Sequence, residues 1–478
     1  VLLVAFTVHC TWRDNQQTGT NQQQIRSSDY IKVLILFLQY LVIISSLSVP
    51  WPTALAYLFR IAKFVFAASN GQVGPVSVDC VLSQGAQTSV PVSIQRQLIY
   101  LVAPVGILLG VLVLFLAKML LQKVIGARGR RASTIRRGSS TSSTASSNSG
   151  THFQRNSLGF MLVRKLPLMC VVTFFFAYPF LVRLSLGMFA CLQLDKAGDP
   201  GDPYPQFAVA NASRGYWVHA MQQACFEGWH LPWALGLGLP CVLLFCVATP
   251  LALLIGLTVH RSKLQHADIK MHFGFLYRPY TEKCCWWEGV MTVQSMLLVT
   301  ISVFRFTLGG YNSALLVTVM FSAMATLQLV FKPFASRKLH VVQLVATGCL
   351  YITSCIALSL FTVEGVDDVP VYEEVMGGMA VFLNVAFVVW CCYGILAASQ
   401  GLLGKVFAAV KKFCGKCCPG CVTSNASSSS SSPPNGCIPV IKVVEDVQTS
   451  SDGDGDGDQG NQVLTRTSSS QMPALPVV

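Results

Sequence analysis

Three groups of residues have types and spacings that could do chemistry. Cys414, Cys417, Cys418 and Cys421 form C-x-x-C-C-x-x-C among Lys405, Lys411, Lys412 and Lys416. Four thiolates at that spacing could hold zinc, but structural zinc sites usually put a longer loop between the two pairs. Cysteines among lysines beside an apolar run read better as palmitoylation sites. Arg130-Arg131-Ala132-Ser133 and Arg136-Arg137-Gly138-Ser139 place two guanidinium groups just ahead of a serine. A basophilic kinase selects that pattern, so Ser133 and Ser139 are candidate phosphorylation sites; plain positive charge at a membrane is the competing reading. Asp452 to Asp458 copies the first ligands of a calcium loop, yet Val463 stands where a bidentate Glu is needed, so a disordered acidic tract is the better reading. No metal or cofactor is expected. The chain has no phosphate-binding glycine loop, no GxSxG elbow and no HExxH, and no enzyme centre is expected from it.

A second set of candidates consists of polar residues inside apolar runs. Gln39, Gln294, Gln328 and Asn384 lie there; such side chains tie helices together or, less often, line a water path. Gln294, Gln328 and Asn384 are the pore-lining candidates. Arg183 and Arg305 approach the ends of their runs, where a long side chain can reach the headgroups. Glu364, Asp367, Asp368, Glu373 and Glu374 crowd one short loop without a base, and would concentrate cations. Cys191 and Cys225 bracket another loop and are a candidate disulfide; Asn211 in that loop heads an N-glycosylation sequence.

The elements that position these residues follow from composition. The chain is 53% hydrophobic and 12% charged, with mean hydropathy +0.54. Soluble domains carry roughly 25% charged residues, so lipid is the expected main solvent. The net charge of +13 lies in clusters between apolar runs, which points to a membrane surface and away from nucleic acid. Eight runs are long enough to span: 30–49, 98–121, 166–190, 231–257, 289–308, 313–333, 339–362 and 376–399, taking about 20 residues as the requirement. Val1 to Val8 reads as the stump of a further span, and Thr53 to Ser69 as an amphipathic helix on the membrane surface. The prediction is an all-α polytopic bundle. Its module is 30–399, with a disordered basic and Ser-rich loop over 122–163, a Lys/Cys segment over 400–421 and a disordered tail over 422–478.

Alternating the runs across a bilayer places 25 Lys and Arg on one side and 5 on the other. That asymmetry predicts a cytosolic C-terminus and, with it, a plasma-membrane protein. The most distinctive stretch is HFGFLYRPYTEKCCWWEGVMTVQ (His272 to Gln294), which packs six aromatic rings among Arg278, Glu282, Lys283 and Glu288. Rings beside charges suit the membrane–water boundary, so this stretch is expected to form an interfacial elbow feeding a spanning helix.

Several phrases resemble the C-terminal multi-pass module of large surface proteins from algae and other protists. They are IKVLILFLQYL…VPWP (Ile31 to Pro52), AYPFLVRLSLGMFAC (Ala177 to Cys191), CFEGWH (Cys225 to His230), FGFLYRPY…WWE (Phe273 to Glu288) and LQLVFKPF (Leu327 to Phe334). The elbow phrase, followed by a spanning pair with a basic-Pro-aromatic stop, also looks like fungal TRP-like membrane proteins. The resemblance implies a receptor-like or channel-like protein, with cation conduction as the leading expectation. A non-conducting anchor for an extracellular domain and a lipid-handling protein are the alternatives. Membrane lipids are the expected partners, with cations and further copies of the chain as additional ones.

Overall fold

The computed structural model describes residues 1–16, 26–49, 51–65, 90–136, 158–193, 214–363 and 370–398, all within one compact unit, Val1–Lys412. These form an all-α bundle with one small sheet. The helices are α1 (Leu2–Gln16), α2 (Ser27–Ile44), α3 (Thr53–Val65), α4 (Val92–Arg136) and α5 (Leu158–Gly187). They continue with α6 (His230–Val259), α7 (Ala267–Tyr277), α8 (Trp287–Val303), α9 (Arg305–Leu308), α10 (Gly310–Phe331), α11 (Arg337–Val363) and α12 (Pro370–Ala398). Seven described segments are long and apolar enough to cross a membrane: Ser27–Ile44, Val92–Leu121, Arg164–Gly187, His230–Val259, Gly310–Phe331, Arg337–Phe361 and Val371–Ala398.

The eighth expected span differs. Over 289–308 the helix stops at Val303, Phe304 leaves helical geometry (φ −92°, ψ 16°), and Arg305–Leu308 forms a separate turn. Gly309 then takes φ 80° and ψ 158°, a conformation open essentially to glycine alone. The result is a 17-residue apolar helix, at the lower limit of spanning length and broken before its expected end.

Burial separates the helices into centre and periphery. In α2, 83% of the spanning window is buried, against 11% in α4 and 17% in α6. An apolar helix left uncovered on most sides needs another apolar solvent, and a bilayer supplies it. Helix α3 buries Leu55, Phe59 and Ala62 and leaves Tyr57 and Ile61 exposed, which gives it the two faces its sequence predicts. Two predicted boundaries move outward. The first helix extends past Val8 to Gln16. Residues 122–136 and 158–163, expected to be disordered, are helical continuations of α4 and α5; the long serine-rich tract begins only after Arg137.

One end of the bundle carries the sheet β1 (Cys191–Leu192), β2 (Tyr216–Trp217) and β3 (Ala220–Ala224), all antiparallel. Cys191 and Cys225 are disulfide-bonded there, with Cα atoms 6.2 Å apart. Ile94, Met188, Trp217 and Cys225 form a small separate core beneath the sheet. His230 is fully buried; its Nδ1 accepts the Phe226 N–H at 2.9 Å, so Nε2 carries the proton and donates to the Met188 carbonyl at 3.1 Å. The opposite end holds the 277–287 elbow.

Candidate functional site

At the elbow end the structure brings together charges that lie far apart in sequence. Lys32, near the start of α2, places Nζ 2.7 Å from Glu288 Oε2 in the first turn of α8, and both side chains are about as buried as the bundle allows, 5% and 2% exposed. The ammonium also donates to the Phe275 carbonyl at 3.0 Å, and lies 4.9 Å and 5.4 Å from the ring centres of Phe275 and Tyr280. Tyr280 donates its hydroxyl to the same Glu288 oxygen at 2.8 Å. The ammonium and one carboxylate oxygen therefore each hold further hydrogen bonds beyond the pair itself, which favours toleration of a buried ion pair. Burial first, and the Glu288 charge next, push the Tyr280 phenol well above its ordinary value.

A second pair adjoins it. Arg278 donates to Asp29 Oδ1 at 2.8 Å, to Ser28 Oγ at 2.6 Å and to Asn15 Oδ1 at 2.5 Å. Asp14 accepts the Ser28 N–H at 3.1 Å and the Ser27 hydroxyl at 3.2 Å, satisfying donors at the start of α2 that have no partner within the helix. Arg26 donates to the Asp14 main-chain carbonyl. The network thus ties α1, α2, α7, the elbow and α8 together. The elbow is also tied to the stop after α10: Thr281 N–H donates to the Pro333 carbonyl at 2.7 Å and Ala335 N–H to the Pro279 carbonyl at 3.0 Å, while Tyr280 pairs with Phe334 in an antiparallel bridge. RPY and KPF are partners in space.

Charge counting places Lys32 with the solvated bases of residues 9–32, and its buried pairing with Glu288 corrects that. Of the six elbow rings, Phe275, Tyr280 and Trp287 are 2%, 7% and 1% exposed and pack into the bundle, while Phe273 is 43% exposed. The signal available in the sequence was a lone base heading one apolar run and a lone acid heading another.

Beside Glu288 lies a cavity of about 560 Å³, walled by α2, α4, α5, α6, α7 and α8. Leu36, Leu108, Phe174, Leu253 and Met291 give it an apolar wall, and Pro104 and Pro179 stand in it. Proline inside a helix removes one backbone hydrogen bond, and both residues stand where α4 and α5 face this space. Helix α6, on another wall, includes π-helical turns over Ala234–Gly238 and Leu243–Ala248. There the Thr249 hydroxyl donates to the Leu244 carbonyl at 2.9 Å. The walls from α4 and α6 belong to the two least covered helices, so the cavity lies on the side facing lipid.

The polar residues expected to line a path are placed apart. Gln328 and Asn384 are both fully buried. Gln328 hydrogen-bonds Thr347 across α10 and α11 at 3.1 Å, and Asn384 donates to Thr353 across α12 and α11 at 2.9 Å. Gln294 is buried in α8 with its side-chain oxygen unbonded. Arg183 is half-buried near the disulfide end. Lys63 there is held below its ordinary value by burial first, then by Arg183 and Arg305, so these three cations lie within electrostatic reach of one another. Glu373 and Glu374 occupy the first turns of α12. Glu364, Asp367, Asp368, Asn211, Ser139, Cys414, Cys417, Cys418 and Cys421 fall outside the described residues, and Ser133 is described only as backbone of α4. Among the described residues no His, Cys, Asp and Glu side chains gather as a metal site.

Compared with protein-family models, curated proteins and solved structures, the chain matches none.

Proposed function

We propose that this integral membrane protein binds the hydrocarbon chain of a membrane lipid in the cavity between α4, α5 and α6. The observation that carries the reading is that cavity: about 560 Å³, with apolar walls, and set against the two least covered apolar helices. Its size is that of ordinary small-ligand sites, which run from roughly 300 to 1,000 Å³. Lipid handling of this kind suits a receptor-like protein of the plasma membrane with a cytosolic C-terminus, the placement its Lys and Arg distribution favours.

Full-length protein reconstituted with a photoactivatable acyl-chain lipid is expected to crosslink at α4, α5 or α6. Ala252 lines the cavity, and Ala252→Trp should fill it and abolish the crosslink while thermal unfolding stays unchanged. Labelling spread evenly over the lipid-facing helices, and unaffected by that substitution, would reject the reading. Cation conduction, implied by the TRP-like resemblance, requires Gln294, Gln328 and Asn384 to face water. Two of the three are committed to neighbouring threonines within the chain, so lipid binding takes precedence. Current recording from the reconstituted protein is the direct test of conduction.

A further inference from the structure

A second concavity, of about 820 Å³, lies on the outer side of the elbow and shares no lining residue with the lipid-facing cavity. Four cations from three separate stretches of chain converge on it: Arg26 before α2, Arg261 and Lys270 on the link between α6 and the elbow, and Arg278 in the elbow itself. Two acids, Asp29 and Glu282, also line it. Asp29 is already paired with Arg278 at 2.8 Å. Arg261 and Lys270 make no ion pair among the described residues. Burial first, and the Arg278 charge next, lower the Arg26 guanidinium from its ordinary value, with Asp29 and Asp14 opposing, so Arg26 and Arg278 lie within electrostatic reach of one another. Four cations against two acids leave these walls with an excess of positive charge that an anion would offset. Ser262, Thr281 and Ser336 add hydroxyl donors to the same walls, the combination that oxyanions take.

We propose that this cleft binds a phosphate-bearing anion, held by Arg261, Lys270 and Arg26. The phosphate could belong to a soluble ligand or to a lipid headgroup, and the experiment separates the two. Full-length protein in phosphatidylcholine nanodiscs is titrated with inorganic pyrophosphate, and in parallel reconstituted in nanodiscs with and without phosphatidic acid, at matched ionic strength. Binding is read by calorimetry and by the thermal unfolding midpoint. A response to pyrophosphate assigns a soluble ligand; a response to phosphatidic acid alone assigns a headgroup; both support the site. The double variant Arg261→Gln/Lys270→Gln should weaken the responding probe at least tenfold, a loss of about 1.4 kcal/mol. Ser336→Glu, which adds a negative charge inside the cleft, should do the same by a different route. Unchanged unfolding of the variants without probe establishes that they fold. Absence of a response to both probes, or responses that both variants leave intact, overturns the proposal. Neither outcome bears on the acyl-chain cavity.

Discussion

Removing one partner of the Lys32–Glu288 pair should destabilise the protein far more than removing both. In Lys32→Met the carboxylate of Glu288, 2% exposed, keeps only the Tyr280 hydroxyl at 2.8 Å and loses the cation that offsets its burial. Breaking a buried pair in this way typically costs about 3–5 kcal/mol, whereas replacing both members with apolar residues of similar volume is often neutral. Glu288→Leu alone leaves the ammonium with the Phe275 carbonyl and three rings, so its loss should be somewhat smaller. The double variant Lys32→Met/Glu288→Leu should recover most of the deficit, giving a coupling energy of at least 2 kcal/mol, the upper half of the range for directly contacting residues. Reversible unfolding of the reconstituted protein, followed by tryptophan fluorescence, supplies the cycle; Trp286 and Trp287 adjoin Glu288 in sequence and report locally. If the two single losses simply add in the double variant, the pair does not hold α2 to α8, and the account of the elbow fails with it.

Other consequences can be checked separately. Cys191→Ser should cost on the order of 3–4 kcal/mol, from the chain entropy of a closed loop of this length, and shift mobility on a non-reducing gel; the separation is 34 residues. An alkaline absorbance titration should show Tyr280 still protonated beyond pH 10, its ordinary value. Because that value is raised in the fold, its bond to Glu288 is fully present below pH 10 and is lost only as pH rises through the higher folded value. Gly289→Val should destabilise by about 1–3 kcal/mol through overpacking, since a Cβ there would lie 2.5 Å from Leu254 Cγ and 3.1 Å from its backbone nitrogen. Asn384→Leu should cost about 0.6–2 kcal/mol, the range for hydrogen bonds between membrane helices, and leave any cation current unchanged if Asn384 only ties α12 to α11 through Thr353.

Hydropathy located the helices because each run is apolar on every side, a signal that needs no knowledge of neighbours. It could not say which helices lie at the centre. Helix α4 is the more apolar over its spanning window, with mean hydropathy 2.8 against 1.6 in α2, yet α4 is 11% buried and α2 83%. What distinguishes them is visible only in tertiary contacts: α2 begins with Asp29 and Lys32, each with an opposite charge waiting in the elbow. Charge counting across loops treats every Lys and Arg as solvated, and therefore misplaces the ones that are spent internally. Lys32 and Arg278 were both counted that way. The lipid-facing cavity was less legible still, since Pro104 and Pro179 mark where α4 and α5 each lose a backbone hydrogen bond but not that both face the same space.

The elbow links these two levels. Glu288 belongs to the ion pair and also lines the acyl-chain cavity, while Leu276, on the same wall, offers its carbonyl to Lys32 at 3.4 Å. On the other side of the elbow, Asp29 and Arg278 line the cationic cleft. A ligand in either space therefore touches residues one bond removed from the network that fixes α2 against α8. A chain that displaced Leu276 or Glu288 would act on Lys32, and an anion that drew Arg278 from Asp29 would act on the start of the same helix. If both sites bind as proposed, their ligands should influence one another's affinity through that shared network. Lys32→Met/Glu288→Leu should then reduce the coupling while leaving the affinity of the cationic cleft, which neither residue lines, close to its original value.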